Sequence, residues 1–181
     1  DAFVFYNPKD IVSGDFYFIE SINTNENEKL VGFAAADCTG HGVPGAFMSI
    51  LGINILRQSL SSREVNNPAQ ALDFLNRNLN IALRQHSREQ VIHDGMDIAF
   101  CVLNYKKYEL YYAGAYNPLW IVKNDKSLLE INSDKQPIGS FPNQKPFTNH
   151  TVKLEKGDTV YLFTDGYADQ FGGLKGKKFK Y

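Results

Sequence analysis

Three aspartates in this 181-residue chain share one local setting: Asp15 in Ser-Gly-Asp-Phe-Tyr, Asp37 in Ala-Asp-Cys-Thr-Gly-His-Gly, and Asp165 in Phe-Thr-Asp-Gly-Tyr. Each stands at the start or end of an apolar, strand-like run and close to glycine. Buried runs of that kind would carry each carboxylate from a rigid core to its rim. Three anions on one rim repel one another unless a cation lies among them. Mg²⁺ and Mn²⁺ take carboxylate, carbonyl and water oxygens, and these segments supply the first two. The usual zinc ligands are missing: His41, His86, His93 and His150 are scattered, and Cys38 and Cys101 are far apart. Two hard cations about 4 Å apart acidify a bridging water and clamp a phosphoryl group for in-line attack. Phosphate-ester hydrolysis is the chemistry such a set would do. A single Asp beside Gly is most often a turn or cap residue, so the case rests on the three together.

Those positions need elements to hold them. Phe3 to Tyr6 and Asp15 to Ile22 are rich in aromatic and β-branched residues and are separated by the turn-prone Asn7-Pro8 and Ser13-Gly14, which predicts two strands. The polar run Asn23 to Asn27 then joins the second strand to Leu30–Ala36 as a hairpin loop, and the hairpin ends at Asp37. From Val43 the spacing turns helical, with Pro44 in the first turn and Phe47, Ile50 and Leu51 apolar, which predicts a largely buried helix. A second helix fits Pro68 to about His86, with Asn67 as N-cap and Leu72, Leu75, Leu79 and Ala82 in one stripe. Apolar runs at Ile98–Leu103, Leu110–Ala113, Leu119–Val122 and Val160–Thr164 predict a β-meander. Helices that do not alternate with strands cannot serve as parallel crossovers, so the plan is α+β with antiparallel sheets.

Composition bounds the partners. With 43% hydrophobic residues the chain suits one domain with one core, and a net charge of −1 gives no basic field to draw in nucleic acid. No run is long enough to span a bilayer, so no membrane contact by this domain is expected. Cys38 and Cys101 read as free thiols of a reducing compartment, hence a cytoplasmic domain. The strand-like pattern so close to Asp1 suggests a piece of a longer multidomain protein, and the full-length protein could be membrane-tethered.

Four segments in order carry a family resemblance: Val12-Ser13-Gly14-Asp15-Phe16-Tyr17, Ala36-Asp37-Cys38-Thr39-Gly40-His41-Gly42-Val43-Pro44, Ala113-Gly114-Ala115-Tyr116-Asn117-Pro118-Leu119, and Phe163-Thr164-Asp165-Gly166. Together they resemble the bacterial PPM-type phosphatases of the sporulation stage II E class, relatives of protein phosphatase 2C. The resemblance implies a four-layer α-β-β-α sandwich, two antiparallel sheets packed face to face with helices outside and the cations in a cleft at one end. Carried over by position, Asp37 would bridge two Mn²⁺ or Mg²⁺ ions and Asp15 and Asp165 would complete the shells. The Cys38 main-chain carbonyl would be a further ligand. His41 is the candidate general acid, although in eukaryotic relatives that histidine falls at the place of Thr39, and Gly40-His41-Gly42 also reads as a turn into the helix. Asp94-Gly95-Met96-Asp97 reads as a turn, with Asp97 open to a supporting role. Asp169 could face the same cleft through water but reads equally well as surface, whereas Lys9, which could meet a substrate phosphate, and the basic tail Lys175 to Lys180 read as ordinary solvated surface. Family members continue past the equivalent of Phe179 into a helix and a last strand bearing an Asp-Asp pair, so the single domain 1–181 is expected to lack that piece and one ligand.

The function implied is metal-dependent hydrolysis of phosphoserine or phosphothreonine on a partner protein, in bacterial stress or sigma-factor signalling. By the same resemblance the substrate is a STAS-type anti-sigma-factor antagonist, and a fused or separate sensor domain governs the activity. The alternative is a silent module of the same fold that binds a phosphoprotein or regulator. A metal-dependent nuclease or nucleotide hydrolase comes third, since the net charge is near neutral and the chain lacks a Gly-rich phosphate loop such as the P-loop.

Overall fold

The computed structural model describes residues 1–8, 11–23, 29–40, 42–84, 94–172 and 176–178. Strands β1 (Phe16–Asn23) and β2 (Lys29–Cys38) form the expected antiparallel hairpin, with Phe16 opposite Ala36 and Ile22 opposite Leu30. Two helices follow, α1 (Gly42–Ser61) and α2 (Pro68–Arg84), then β3 (Gly95–Asn104), β4 (Glu109–Ala115), β5 (Leu119–Val122) and β6 (Leu128–Ile131). The remaining strands are short: β7 (Ile138–Gly139), β8 (His150–Lys153), β9 (Thr159–Tyr161), β10 (Phe171–Gly172) and β11 (Lys177–Lys178). The main sheet runs β1-β2-β3-β4-β8, with β7 against the start of β3. A smaller sheet runs β6-β5-β9, and β10 pairs with β11.

Strand β3 explains the layering. Its side chains alternate between two apolar cores, as the twofold period of a strand requires. Ile98, Phe100 and Val102 belong to a core shared with both helices, including Leu56, Leu72, Leu75 and Leu79. Ala99 and Cys101 belong to a second core with Leu119 and Ile121 of the smaller sheet. The fold is therefore an α+β sandwich of antiparallel sheets. Among the described residues three layers are seen, helix, sheet and sheet, and both helices lie on the same face of the main sheet.

The helices form as their residues dictate. Asn67 caps α2, its Oδ1 accepting the Gln70 amide at 3.0 Å. One stripe of α2 is sealed, with Leu72, Leu75 and Leu79 fully buried, each worth about 1.5–3 kcal/mol of transfer free energy. Its other side works on the loops: Asp73 accepts the Phe147 amide at 3.1 Å and Asn76 the Gly139 amide at 2.8 Å. Helix α1 is apolar nearly all round, yet it is buried on one side only. Small residues Gly45, Ser49 and Gly52 let that side approach the sheet, whereas Val43, Phe47 and Ile50 face solvent.

Besides α1, expected to be largely buried and found buried on one side only, two strand expectations need correction. Phe3 to Tyr6 is not a strand: no neighbouring strand pairs with it, and Phe3 and Phe5 lie exposed. The segment is held instead by Tyr6, edge-on to Tyr17 at 5.7 Å and donating to the Asp15 carbonyl at 3.0 Å. The run Val160–Thr164 yields only β9, at the edge of the small sheet with Thr159 and Tyr161 exposed. Strands of two to four residues such as β7 and β10 carry no periodicity to read and exist only through their pairing.

Leu75→Ala removes a side chain with no route to solvent and is expected to cost about 2–5 kcal/mol, read by urea unfolding. Ile50→Ala, on the open side of α1, is expected to stay within about 0.5 kcal/mol of wild type.

Candidate metal centre

The hairpin brings two of the three aspartates together. Asp15 immediately precedes β1 and Asp37 is the last residue but one of β2, so the pairing of Phe16 with Ala36 puts both at one end of the sheet. The pairing of β2 with β3 then sets Asp97 directly opposite Asp37. Asp165 arrives from the loop after β9, and the neighbouring Thr164 hydroxyl donates to the Asp15 carboxylate at 2.8 Å. Asp37 consequently lies within hydrogen-bonding reach of both the Asp15 and the Asp165 carboxyls.

Electrostatics follow from that crowding. Burial first, and then the charges of Asp15 and Asp165, push the Asp37 carboxyl up to about 8. Asp97 is raised to about 6 by burial and by Asp165. All four carboxyls, with Asp94 and Asp169, line a cavity of about 720 Å³, and among the described residues no basic side chain lines it. No three His, Cys, Asp or Glu side chains among the described residues close on a single point as a finished cage. Mg²⁺-like ions keep several waters and take one or two protein carboxylates each, so they do not require such a cage. A central carboxyl flanked by two others is the donor set that a pair of such ions would share. The oxygen-only chemistry of these groups fits the hard cations read from the sequence.

The other sequence-derived candidates fall as follows. Cys38 lines the cavity, but its side chain is buried in the helix-side core, and burial pushes the thiol up to about 12. The thiol stays neutral, leaving the main-chain carbonyl as the group it can offer. Cys38 and Cys101 are both free, as expected. The Thr39 hydroxyl is engaged by the backbone, accepting from the Gly95 amide at 2.9 Å and donating to the Gly95 carbonyl at 3.2 Å. It splices the end of β2 to the start of β3. His41 and Lys9 lie outside the described residues, as do Lys175, Phe179 and Lys180. Lys178 is described and pairs with Asp169 at 2.6 Å on the cavity rim. Asp94 and Asp97, read from the sequence as turn residues, both face the cavity. The available signal was that Asp97 opens one apolar strand as Asp37 closes another; the missing fact was that the two strands are neighbours.

The model of the stage II sporulation protein E (SpoIIE) family matches residues 27–180. The chain belongs to the SpoIIE family. Phosphoserine phosphatase RsbU of Bacillus subtilis is 27% identical over 168 residues, a match covering 90% of this chain and 44% of RsbU. The SpoIIE-family chain thus spans less than half the length of that relative. The solved SiaA-PP2C domain of Pseudomonas aeruginosa superposes with a TM-score of 0.78 at 29% identity, over 99% of this chain and 66% of that one. RsbX, solved in complex with magnesium, shares the fold, with a TM-score of 0.62 at 15% identity over 88% of this chain and 69% of that one. Among the described residues of this SpoIIE-family domain, no helix is long and apolar enough to cross a membrane.

In chelator-treated protein the raised Asp37 carboxyl has a consequence for stability. The folded state keeps its proton up to about pH 8, while the unfolded chain releases it from about 3.8 upward. The folded state therefore binds more protons across that window, and stability falls as pH rises through it. Asp37→Asn is expected to flatten this fall and to raise the melting temperature of the metal-free domain at pH 8, measured by calorimetry.

Proposed function

We propose that this domain is a protein serine/threonine phosphatase that hydrolyses phosphoserine or phosphothreonine on a partner protein using two divalent cations, Mn²⁺ or Mg²⁺. The observation that carries the reading is the half-buried Asp37 carboxyl flanked by Asp15 and Asp165 on the lining of an open cavity. Anions so placed are costly unless cations neutralise them. Support comes also from the names of its relatives: RsbU is a phosphoserine phosphatase, and RsbX was solved with magnesium.

Asp37 would bridge the two ions, Asp15 and Asp165 would each complete one shell, and the Cys38 carbonyl would add an oxygen. When bound, the cations supply the positive charge that neutralises a phosphoryl group and the Lewis acidity that lowers the pKa of water for in-line attack. The protein's own part is positional. Thr164 holds the Asp15 carboxylate, β2 and β3 fix Asp37 against Asp97, and α2 anchors the loop from Ile138 to Phe147 through Asn76 and Asp73. The described lining is rich in carboxyls, and the cations would supply the charge that attracts a phosphoryl group. His41 remains the candidate for protonating the serine leaving group.

The substrate class follows the resemblance: a STAS-type anti-sigma-factor antagonist in a partner-switching pathway, with a sensor domain in control. A cytoplasmic setting accords with two free, buried cysteines.

Phosphate release from a phosphoserine peptide is expected with Mn²⁺ or Mg²⁺, to stop with chelator, and to fall by about two orders of magnitude or more in Asp37→Asn. A folded domain that shows no turnover at saturating metal, yet binds the phosphopeptide, would instead be a silent phosphoprotein-binding module.

A further inference from the structure

Ser49 has more carbonyl neighbours than its hydroxyl can serve. It lies on the sheet-facing side of α1, is buried, and its Oγ is 3.1 Å from the Gly45 carbonyl one turn back. Such a back-bond is how a serine inside a helix ordinarily satisfies itself. Two further carbonyls, from outside the helix, crowd the same oxygen: Gly14 at 2.5 Å and Ser13 at 3.0 Å. One hydroxyl carries one proton, and its shortest contact is the Gly14 carbonyl.

That carbonyl belongs to the peptide that enters Asp15. A peptide unit is planar, so holding its oxygen and its N–H fixes the orientation of the whole plane. Ser49 holds the oxygen of the Gly14–Asp15 peptide. Ser13 Oγ accepts the Asp15 amide at 3.1 Å on the opposite side. Between helix and loop there is no room for slack. A Cβ on Gly45 would stand 2.5 Å from the Gly40 carbonyl and 3.1 Å from Gly14 Cα, and one on Gly14 would stand 3.0 Å from the Cys38 carbonyl.

We infer that Ser49 is a positioning residue for the cation centre: its hydroxyl clamps the Gly14–Asp15 peptide to α1 and so sets the Asp15 carboxylate against Asp37. The inference rests on the cation reading proposed above, and the experiment separates the two. Mn²⁺ binding to the 181-residue chain is followed by the loss of the free-ion electron paramagnetic resonance signal, with no substrate present. Variants are Ser49→Ala, Ser59→Ala, Asp37→Asn, Asp15→Asn and the double variant Ser49→Ala with Asp15→Asn. Ser59 is the control, a buried serine of the same helix whose hydroxyl, among the described residues, bonds the Leu56 carbonyl at 2.6 Å, far along the helix from the loop.

Ser49→Ala is expected to weaken Mn²⁺ binding about tenfold, the lower range for a group that supports a ligand. Ser59→Ala should bind as wild type even if both alanine variants melt at similarly lowered temperatures. If Ser49 acts through Asp15, the double variant binds no more weakly than Asp15→Asn alone. Equal Mn²⁺ affinity in Ser49→Ala and wild type, or fully additive losses in the double variant, would overturn the positioning role while leaving the cation centre standing. Wild type that binds no Mn²⁺, or Asp37→Asn that binds it unchanged, would overturn the cation reading and this role with it.

Discussion

Asp37 is bonded into β2, with β1 on one side and β3 on the other, so its backbone has no freedom to carry the carboxylate away from Asp15 and Asp165 when they ionise. A looser site would relieve the repulsion by moving apart. Here burial and, after it, that repulsion are retained as a raised proton affinity of Asp37, and the fold has to supply the energy to hold it. That energy comes from apolar burial on the helix side, where Leu56, Leu72, Leu75, Leu79 and Phe100 are sealed from water. The sheet end and the core behind it are thus one problem: rigidity that stabilises the fold is also what keeps the charges close.

Several contacts around the site serve backbone before side chain. Thr39 bridges the ends of β2 and β3, Ser13 and Ser49 hold the peptide before Asp15, and Tyr6 holds the one after it. Hydroxyl groups are well suited to this, being short, neutral and able both to donate and to accept. Of the hydroxyls named around the site, that of Thr164 reaches a carboxylate directly. Precision at the carboxylates therefore begins one covalent step away from them.

Much of this was legible in the residues. The hairpin, both helices and strands β3, β4 and β5 follow from apolar periodicity, and the Asn67 cap from a single side chain before Pro68. The convergence of Asp15, Asp37 and Asp165 was inferred from their shared setting, an apolar run meeting glycine. What could not be read was pairing. Asp97 gains its place only because β3 lies beside β2 in one register, and no local pattern reports which strands are neighbours. Phe3 to Tyr6 failed for the same reason in reverse, since strand-forming residues make no strand without a partner edge. Ser49 gave no signal either, because a serine inside an apolar helix looks alike whether it bonds its own turn or a distant loop.

The alternation along β3 carries a last implication. Ile98 and Phe100 fill one core while the small Ala99 and Cys101 fill the other, and the same strand fixes Asp97 against Asp37. A slip by one residue would send the bulky pair to the narrow side, the small pair to the wide side, and Asp97 away from its opposite number. A misaligned chain would thus fail at packing and at chemistry together. If the carboxylates hold cations as proposed, that affinity would mark only the molecules whose strands have paired in the right frame.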